Sequence, residues 1–191
     1  MRLFVAVEIA AVAAAAAAAL IDTLRRRADR LAPDARITWI PGDRLHVTVR
    51  FIGNADEAKA EEIRTVLEPP LAIEPFDLVI AGAGAFPESG APRVLWAGLG
   101  AGRVSLGRVE REVSDRLTRV GVTTGVREYR PHLTLARVRD AAGLKASRLC
   151  DGLADQMVGT TRVEAITLFE SRLSPKGPSY VPLQRTPLWK K

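Results

Sequence analysis

The chain has 191 residues, of which 47% are hydrophobic and 26% are charged, proportions typical of a globular protein with a full core. A formal net charge of +6 favours anionic partners such as nucleic acid. The one cysteine, Cys150, excludes an internal disulfide and fits a reducing, cytoplasmic environment.

The N-terminal segment is nearly all apolar from Leu3 to Ile21. Glu8 interrupts it and alanine dominates its second half, whereas a signal peptide or membrane span favours leucine-rich runs without charge. We therefore predict a strand over residues 2–8 followed by an alanine-rich helix that ends near Leu31.

The rest of the chain alternates between strand-like and helix-like patterns. Strands are predicted at residues 37–40, 45–52, 76–80, 93–97, 131–138, 163–173 and 180–188. Helices are predicted at 55–67, 103–120 and 141–157. A Gly- and Pro-rich loop at 81–92 and a turn at 174–178 complete the prediction.

Both histidines of the chain open the same four-residue pattern. His46-Val47-Thr48-Val49 and His132-Leu133-Thr134-Leu135 each read His, apolar, Thr, apolar. Side chains alternate between the two faces of a strand, so each copy presents an imidazole and a hydroxyl on the face opposite its buried aliphatic residues. A lone histidine of this kind is usually a structural residue, but two copies that use every histidine indicate function.

The two motifs occur in similar surroundings. Each follows a strand and a long helix, the first after residues 2–8 and the second after residues 93–97. This repeated order predicts two lobes related by approximate two-fold symmetry, with the motif strands at equivalent places on a cleft.

Two imidazoles on opposite sides of a phosphorus atom suit phosphodiester cleavage, because histidine serves as base or acid near neutral pH. A threonine hydroxyl two residues on is placed to donate a hydrogen bond to a phosphate oxygen. Neither motif has the additional His or Cys ligands that zinc requires, and no phosphate-binding or dinucleotide-binding glycine loop is present. We therefore expect neither a metal nor a cofactor.

Arginines are the natural additional ligands of a phosphate. Arg50 and Arg130 each lie an even number of residues from the histidine of their motif. Alternation therefore places their side chains on the same strand face as that histidine, and each is a candidate for the cleft. Arg137 has the opposite parity, but it lies at a strand end where a long side chain can curl round. Parity assigns Phe51 to the core and leaves Trp96 undecided as a base-stacking residue.

These motifs resemble those of the 2H phosphoesterase superfamily, which is named for its two histidines, and within it the RNA 2′,3′-cyclic phosphodiesterases first known as 2′-5′ RNA ligases. The resemblance covers nearly the whole chain in order. Its matching pieces are RLFVA (2–6), HVTVRFIG (46–53), GAFP (84–87), PRVLWAG (92–98), RPHLTLAR (130–137), TLFES (167–171) and LSP (173–175).

The resemblance implies an α+β fold in which residues 1–191 form one domain of two intertwined, pseudo-symmetric lobes, with antiparallel sheets lining a central cleft and helices outside. It also implies metal-independent opening of a terminal RNA 2′,3′-cyclic phosphate to a 2′-phosphate. By analogy His132 is the base, His46 is the acid, and Thr48 and Thr134 bind the phosphate.

Three other functions remain open from the sequence. The same site can run in reverse and join RNA ends through a 2′-5′ linkage. A binding module for nucleotides or RNA is a second alternative, although it would be expected to have lost a motif residue. A phosphodiesterase acting on small cyclic nucleotides is the third. A monomer is the default expectation.

Overall fold

The computed structural model describes residues 1–123, 128–174 and 177–189. Within these ranges the helices are α1 (Ala11–Leu31), α2 (Glu57–Leu67), α3 (Arg103–Arg119) and the short α4 (Ala146–Leu149), with a 3₁₀ turn at Gly42–Arg44. The strands are β1 (Arg2–Glu8), β2 (Arg36–Trp39), β3 (His46–Asn54), β4 (Phe76–Phe86), β5 (Val94–Leu99), β6 (Leu133–Asp140), β7 (Met157–Val163), β8 (Ala165–Ser174) and β9 (Gly177–Pro187).

The described strands form one antiparallel sheet in the order β7-β4-β5-β6-β3-β1-β8-β9, with β2 beside β6. This order is symmetric about the junction of β6 and β3. Outward from that junction, β5 corresponds to β1, β4 to β8 and β7 to β9. The predicted bilobal α+β architecture is therefore confirmed, with the two motif strands at its centre.

The sheet is weakest at its centre. β3 and β6 share one residue pair, Val47 with Leu133, and β2 occupies the same edge of β6 further along. β3 and β6 are therefore joined by little backbone pairing. The cleft lies on the sheet face that carries His46, Thr48 and Thr134.

Each long helix packs against the half of the sheet that does not contain the strand before it. α1 follows β1 but packs against β7 and β6, and α3 follows β5 but packs against β3 and α2. A close approach explains the small residue at Ala13 of α1, since a Cβ added to Gly159 of β7 would lie 3.2 Å from the Cβ of Ala13. No helix in the described part of the chain is long and apolar enough to cross a membrane.

Most predicted elements are present with ends shifted by a few residues, but two predictions are wrong. The strand expected over 76–80 continues to Phe86, because residues 81–86 pair with β5. The helix expected over 141–157 is limited to Ala146–Leu149. Gly152 has a φ of 68°, which a helix cannot contain, and Met157 already begins β7. Pro175 and Lys176, in the predicted turn at 174–178, lie outside the described residues.

Two glycines of the α3 region give opposite predictions for stability. Gly102 has a φ of 86°, and a Cβ there would clash with the backbone carbonyl of Asp77, whereas Gly107 lies inside α3 with open space beside it. We expect Gly102→Ala to lower the free energy of unfolding by at least 1 kcal/mol, to order of magnitude. Gly107→Ala should raise it by about 0.5–1 kcal/mol. Urea unfolding measures both, and destabilisation by Gly107→Ala would contradict this account of α3.

Candidate active site

The motif strands bring the two histidines and two threonines together on one sheet face. Val47 and Leu133 are fully buried on the opposite face. Because β3 and β6 run antiparallel and pair at Val47 and Leu133, Thr134 lies across from His46, and His132 lies across from Thr48. The strands therefore place each imidazole beside the hydroxyl of the other motif.

Both imidazoles are held in the same way. Nδ1 of His46 lies 2.8 Å from the carbonyl oxygen of Arg44, and Nδ1 of His132 lies 2.7 Å from the carbonyl oxygen of Arg130. A carbonyl only accepts hydrogen bonds, so the proton of the neutral imidazole is assigned to Nδ1 in each ring. Nε2 is then the nitrogen that can take up a proton, as a general base requires.

The two histidines have different neighbours. His46 packs edge-on against Tyr180, with 5.0 Å between the ring centroids, and lies at the same centroid distance from Phe4. His132 packs edge-on against Phe86 at 5.1 Å. The surroundings of His46 are therefore richer in aromatic rings, and they include a small apolar cluster of Phe4, Ala6 and Phe169 on the cleft face.

Burial lowers the pKa of both His46 and His132 below 6.5. The backbone hydrogen bond at each Nδ1 acts in the opposite direction, and the positive charge of Arg137 lowers both pKa values further. Both rings are therefore mainly neutral at pH 7. A bound anion would favour protonation of the nearer ring.

A β-bulge in β3 reverses two sequence predictions. Ala6 of β1 pairs with Thr48 and Val5 pairs with Arg50, so Val49 has no partner in β1. From Arg50 onward, the side chains of β3 therefore point to the faces opposite to those that strict alternation from His46 predicts. Arg50, expected in the cleft, turns away and donates a hydrogen bond of 2.7 Å to Glu110 of α3. Phe51, expected in the core, lines the cleft and is 59% exposed.

A second bulge at the equivalent place in β6 brings Arg137 into the cleft. Leu95 of β5 pairs with Ala136 and Trp96 pairs with Thr134, which leaves Leu135 without a partner in β5. Arg137 therefore lies on the face of Thr134 and lines the cleft. Arg137 and Phe51 each follow their motif histidine by the same number of residues, so the bulges place them at symmetry-related positions.

Arg130 does not line the cleft. Its guanidinium is exposed and donates to Glu128 at 3.0 Å and to Glu88 at 3.3 Å. The parity argument fails because β6 begins only at Leu133, so the alternation of a strand does not extend back to Arg130. Arg130 contributes its backbone carbonyl, which holds the ring of His132.

Tyr129 is a site residue that the sequence did not indicate. Its hydroxyl donates a hydrogen bond of 3.0 Å to the carbonyl oxygen of Thr48, next to the bulge. Burial and the neighbouring charge of Glu110 raise the pKa of Tyr129, so the hydroxyl keeps its proton. Tyr129 thus ties the segment before the second motif to the backbone of the first.

The cleft has a volume of about 500 Å³, and among the described residues no carboxylate lines it. Of the four motif residues, His46, Thr48 and Thr134 line it together with Arg137, whereas His132 is not one of the lining residues. The cleft also includes residues that sequence reasoning missed. These are Arg2, Leu3, Phe4, Ile40, Arg44, Gly53, Ser171, Leu173, Pro178 and Tyr180. Trp96 does not line the cleft. Within the described ranges, no three His, Cys, Asp or Glu residues are grouped as a metal site would require.

A two-lobed antiparallel sheet with a His-x-Thr motif on each central strand defines the class of 2H phosphoesterases. The chain belongs to the 2′-5′ RNA ligase superfamily, whose family model matches residues 12–174.

Relatives and solved structures agree with this membership. An RNA 2′,3′-cyclic phosphodiesterase of Aeropyrum pernix is 36% identical over 163 residues, or 84% of this chain and 92% of the relative. An RNA 2′,3′-cyclic phosphodiesterase of Methanothermobacter thermautotrophicus is 32% identical over 168 residues, or 86% of this chain and 90% of the relative. A crystal structure of a Thermus thermophilus protein matches with a TM-score of 0.74 and 25% identity over 100% of both chains. E. coli LigT shares the fold, with a TM-score of 0.68 and 24% identity over 98% of this chain and 96% of LigT.

The pKa shifts are testable by NMR, since the chain has two histidines. Both imidazoles should titrate below 6.5. Arg137→Gln should move both titrations to higher pH, because removing a nearby positive charge favours the protonated ring. Arg36→Gln is the control, since Arg36 pairs with Asp140 on an exposed part of the sheet. An unchanged titration of both rings in Arg137→Gln would contradict the placement of Arg137.

Proposed function

We propose that this protein is an RNA 2′,3′-cyclic phosphodiesterase that opens a terminal cyclic phosphate to a 2′-phosphate without a metal ion. The observation that carries this proposal is the arrangement of both motifs on one sheet face, with each Nδ1 bonded to a carbonyl and each Nε2 left to exchange protons. The activity named for the relatives from Aeropyrum pernix and Methanothermobacter thermautotrophicus supports it.

In the proposed reaction, Nε2 of His132 accepts a proton from water as the water oxygen bonds to phosphorus. The bond between phosphorus and the ribose O3′ breaks, and the imidazolium of His46 donates its proton to O3′. The product carries a 2′-phosphate and a free 3′-hydroxyl. Thr48 and Thr134 donate hydrogen bonds to the non-bridging oxygens, where charge develops. The guanidinium of Arg137 binds the same anionic group.

The unequal sides of the cleft support these roles. Phe51, Arg2 and Tyr180 line the cleft together with His46, and these are side chains that suit a nucleoside and its chain. O3′ belongs to that nucleoside, so its proton would come from His46. The attacking water would then approach from the opposite side of phosphorus, next to His132.

The low pKa values fit a substrate-dependent charge on His46. Burial disfavours the imidazolium in the free protein. A cyclic phosphate carries a negative charge, and an opposite charge a few ångströms from the ring raises its pKa. The proton needed for the leaving oxygen is therefore acquired mainly with substrate bound, while His132 remains the neutral base.

The reverse reaction is a second candidate because the family to which the chain belongs is named for it. A ribose 5′-hydroxyl would take the place of water and yield a 2′-5′ linkage through the same residues. Incubation of one RNA with a cyclic phosphate end, with and without an acceptor carrying a 5′-hydroxyl, separates hydrolysis from joining. Binding without turnover, or turnover of small cyclic nucleotides alone, would favour the other two alternatives.

The proposal predicts the behaviour of two variants. His46→Ala and His132→Ala should each lower kcat on a short RNA with a 2′,3′-cyclic phosphate end by about 10²–10⁴-fold, the usual contribution of one acid or base. The product of the unmodified protein should be identified by mass and phosphatase treatment as a 2′-phosphate. Thermal unfolding provides the control for folding. Near-normal turnover by both variants would refute the two-histidine mechanism.

Chelation tests the proposed independence from metals. Turnover should be the same in excess EDTA as without it, because imidazoles, hydroxyls and Arg137 supply every proton transfer and charge contact in the mechanism. Loss of activity in EDTA that is restored by zinc or manganese would require a metal in the reaction.

A further inference from the structure

Arg2 is a cleft residue that takes no part in the chemical steps of the proposed reaction. It lines the cleft, and its guanidinium forms no salt bridge or hydrogen bond with another described residue. Arg50 is neutralised by Glu110, and Arg130 by Glu88 and Glu128, whereas Arg44 and Arg137 line the cleft with Arg2. The Arg2 guanidinium, in a cleft that no described carboxylate lines, is suited to bind an anion.

The position of Arg2 separates it from the phosphate that reacts. In β1, Ala6 lies opposite Thr48 and Arg2 lies opposite Asn54. At about 3.3 Å per residue, the backbone of Arg2 is roughly 13 Å further along the strand than Ala6. Arg2, Phe4 and Ala6 share one strand face because side chains alternate. Arg2 therefore faces the cleft beyond the reacting phosphate.

Phe51 lies between these two positions. It pairs with Phe4, roughly 7 Å along β1 from Ala6, and the rings of Phe51 and Phe4 have centroids 6.2 Å apart. Phe4 is buried and supports the ring from one side, while Phe51 itself is 59% exposed. An exposed aromatic ring on a rigid strand is a platform on which a nucleobase stacks.

We propose that Arg2 binds the phosphodiester immediately upstream of the terminal nucleotide. The order along β1 is then reacting phosphate, terminal nucleoside beside Phe51, and next phosphate, which matches the alternation of phosphate and nucleoside in an RNA chain. The preferred substrate is therefore an oligonucleotide of at least two nucleotides. This inference rests on the proposed function and adds to it a subsite for the RNA chain.

The test compares three substrates with the same terminal nucleotide. These are adenosine 2′,3′-cyclic phosphate, the dinucleotide ApA ending in a 2′,3′-cyclic phosphate, and the same dinucleotide with a neutral methylphosphonate linkage. We expect kcat/KM to be about 10-fold higher for the charged dinucleotide than for the mononucleotide, the range of one charged hydrogen bond. The methylphosphonate dinucleotide should lose most of this gain in kcat/KM. This comparison uses the unmodified protein alone.

Arg2→Gln should lower the ratio of dinucleotide to mononucleotide kcat/KM by about 10-fold. It should also make the salt dependence for the dinucleotide shallower by about 0.7 in a plot of log kcat/KM against log salt, the value for one phosphate contact on a single strand. Arg36→Gln removes the same charge from an arginine that Asp140 neutralises, and should leave the ratio unchanged. Equal values for mono- and dinucleotide, or an unchanged ratio in Arg2→Gln, would overturn the subsite.

Failure of the subsite is distinguishable from failure of the proposed function. If the unmodified protein hydrolyses none of the three substrates, the proposed function is wrong. Calorimetric affinities of the His132→Ala protein for the same mono- and dinucleotide do not depend on turnover. Tighter binding of the dinucleotide that Arg2→Gln weakens supports the subsite, and equal affinities overturn it.

Discussion

One antiparallel pair, Val47 with Leu133, sets the geometry of this site. The pair is buried on the helix side, so the residues before and after each member face the opposite side of the sheet. Backbone pairing between β3 and β6 is confined to this pair, which fixes the register of the two motifs. Beyond it, β2 pairs with β6, and Tyr129 bonds to the backbone of Thr48.

The charge distribution follows the same geometry. The described residues that line the cleft are cationic, aromatic, apolar or hydroxyl-bearing and include no carboxylate, and one arginine lowers the pKa of both imidazoles. A single guanidinium thus affects the two histidines in the same direction. Burial is the main reason that the free site disfavours imidazolium, and the charge of Arg137 adds to it. In the proposed reaction the same charge binds the phosphate, and the negative charge of the phosphate favours protonation of a histidine.

Much of the site could be predicted from sequence because a strand has a period of two residues. That period predicts that His46 shares a face with Thr48 and His132 with Thr134, and His46, Thr48 and Thr134 do line one cleft. It fails at Arg50, Phe51 and Arg137, because each follows a bulge. A bulge is defined by a mismatch with the neighbouring strand, here Val49 against β1 and Leu135 against β5, and one strand read alone does not show it.

Long-range contacts account for the other differences. Tyr129 acts through the backbone of a residue far away in the sequence, so no local pattern marks it. Residues 141–157 carry helical periodicity, but tertiary pairing of Met157–Val163 with β4 takes the end of that segment into the sheet. The repeated order of strand, helix and motif did predict the symmetric fold, since each repeat forms the same local units.

The exchange of helices between the halves has a consequence for how this protein unfolds. α1 covers β7 and β6 in one half, and α3 covers β3 in the other. Apart from the small cluster of Phe4, Ala6 and Phe169, the buried apolar side chains form one continuous core. If one half unfolds, the helix that it contributes unfolds with it, and the other half then loses its covering helix. The two halves should therefore melt as one cooperative unit, with the same hydrogen-exchange protection at the centre of both, despite the thin backbone connection between them.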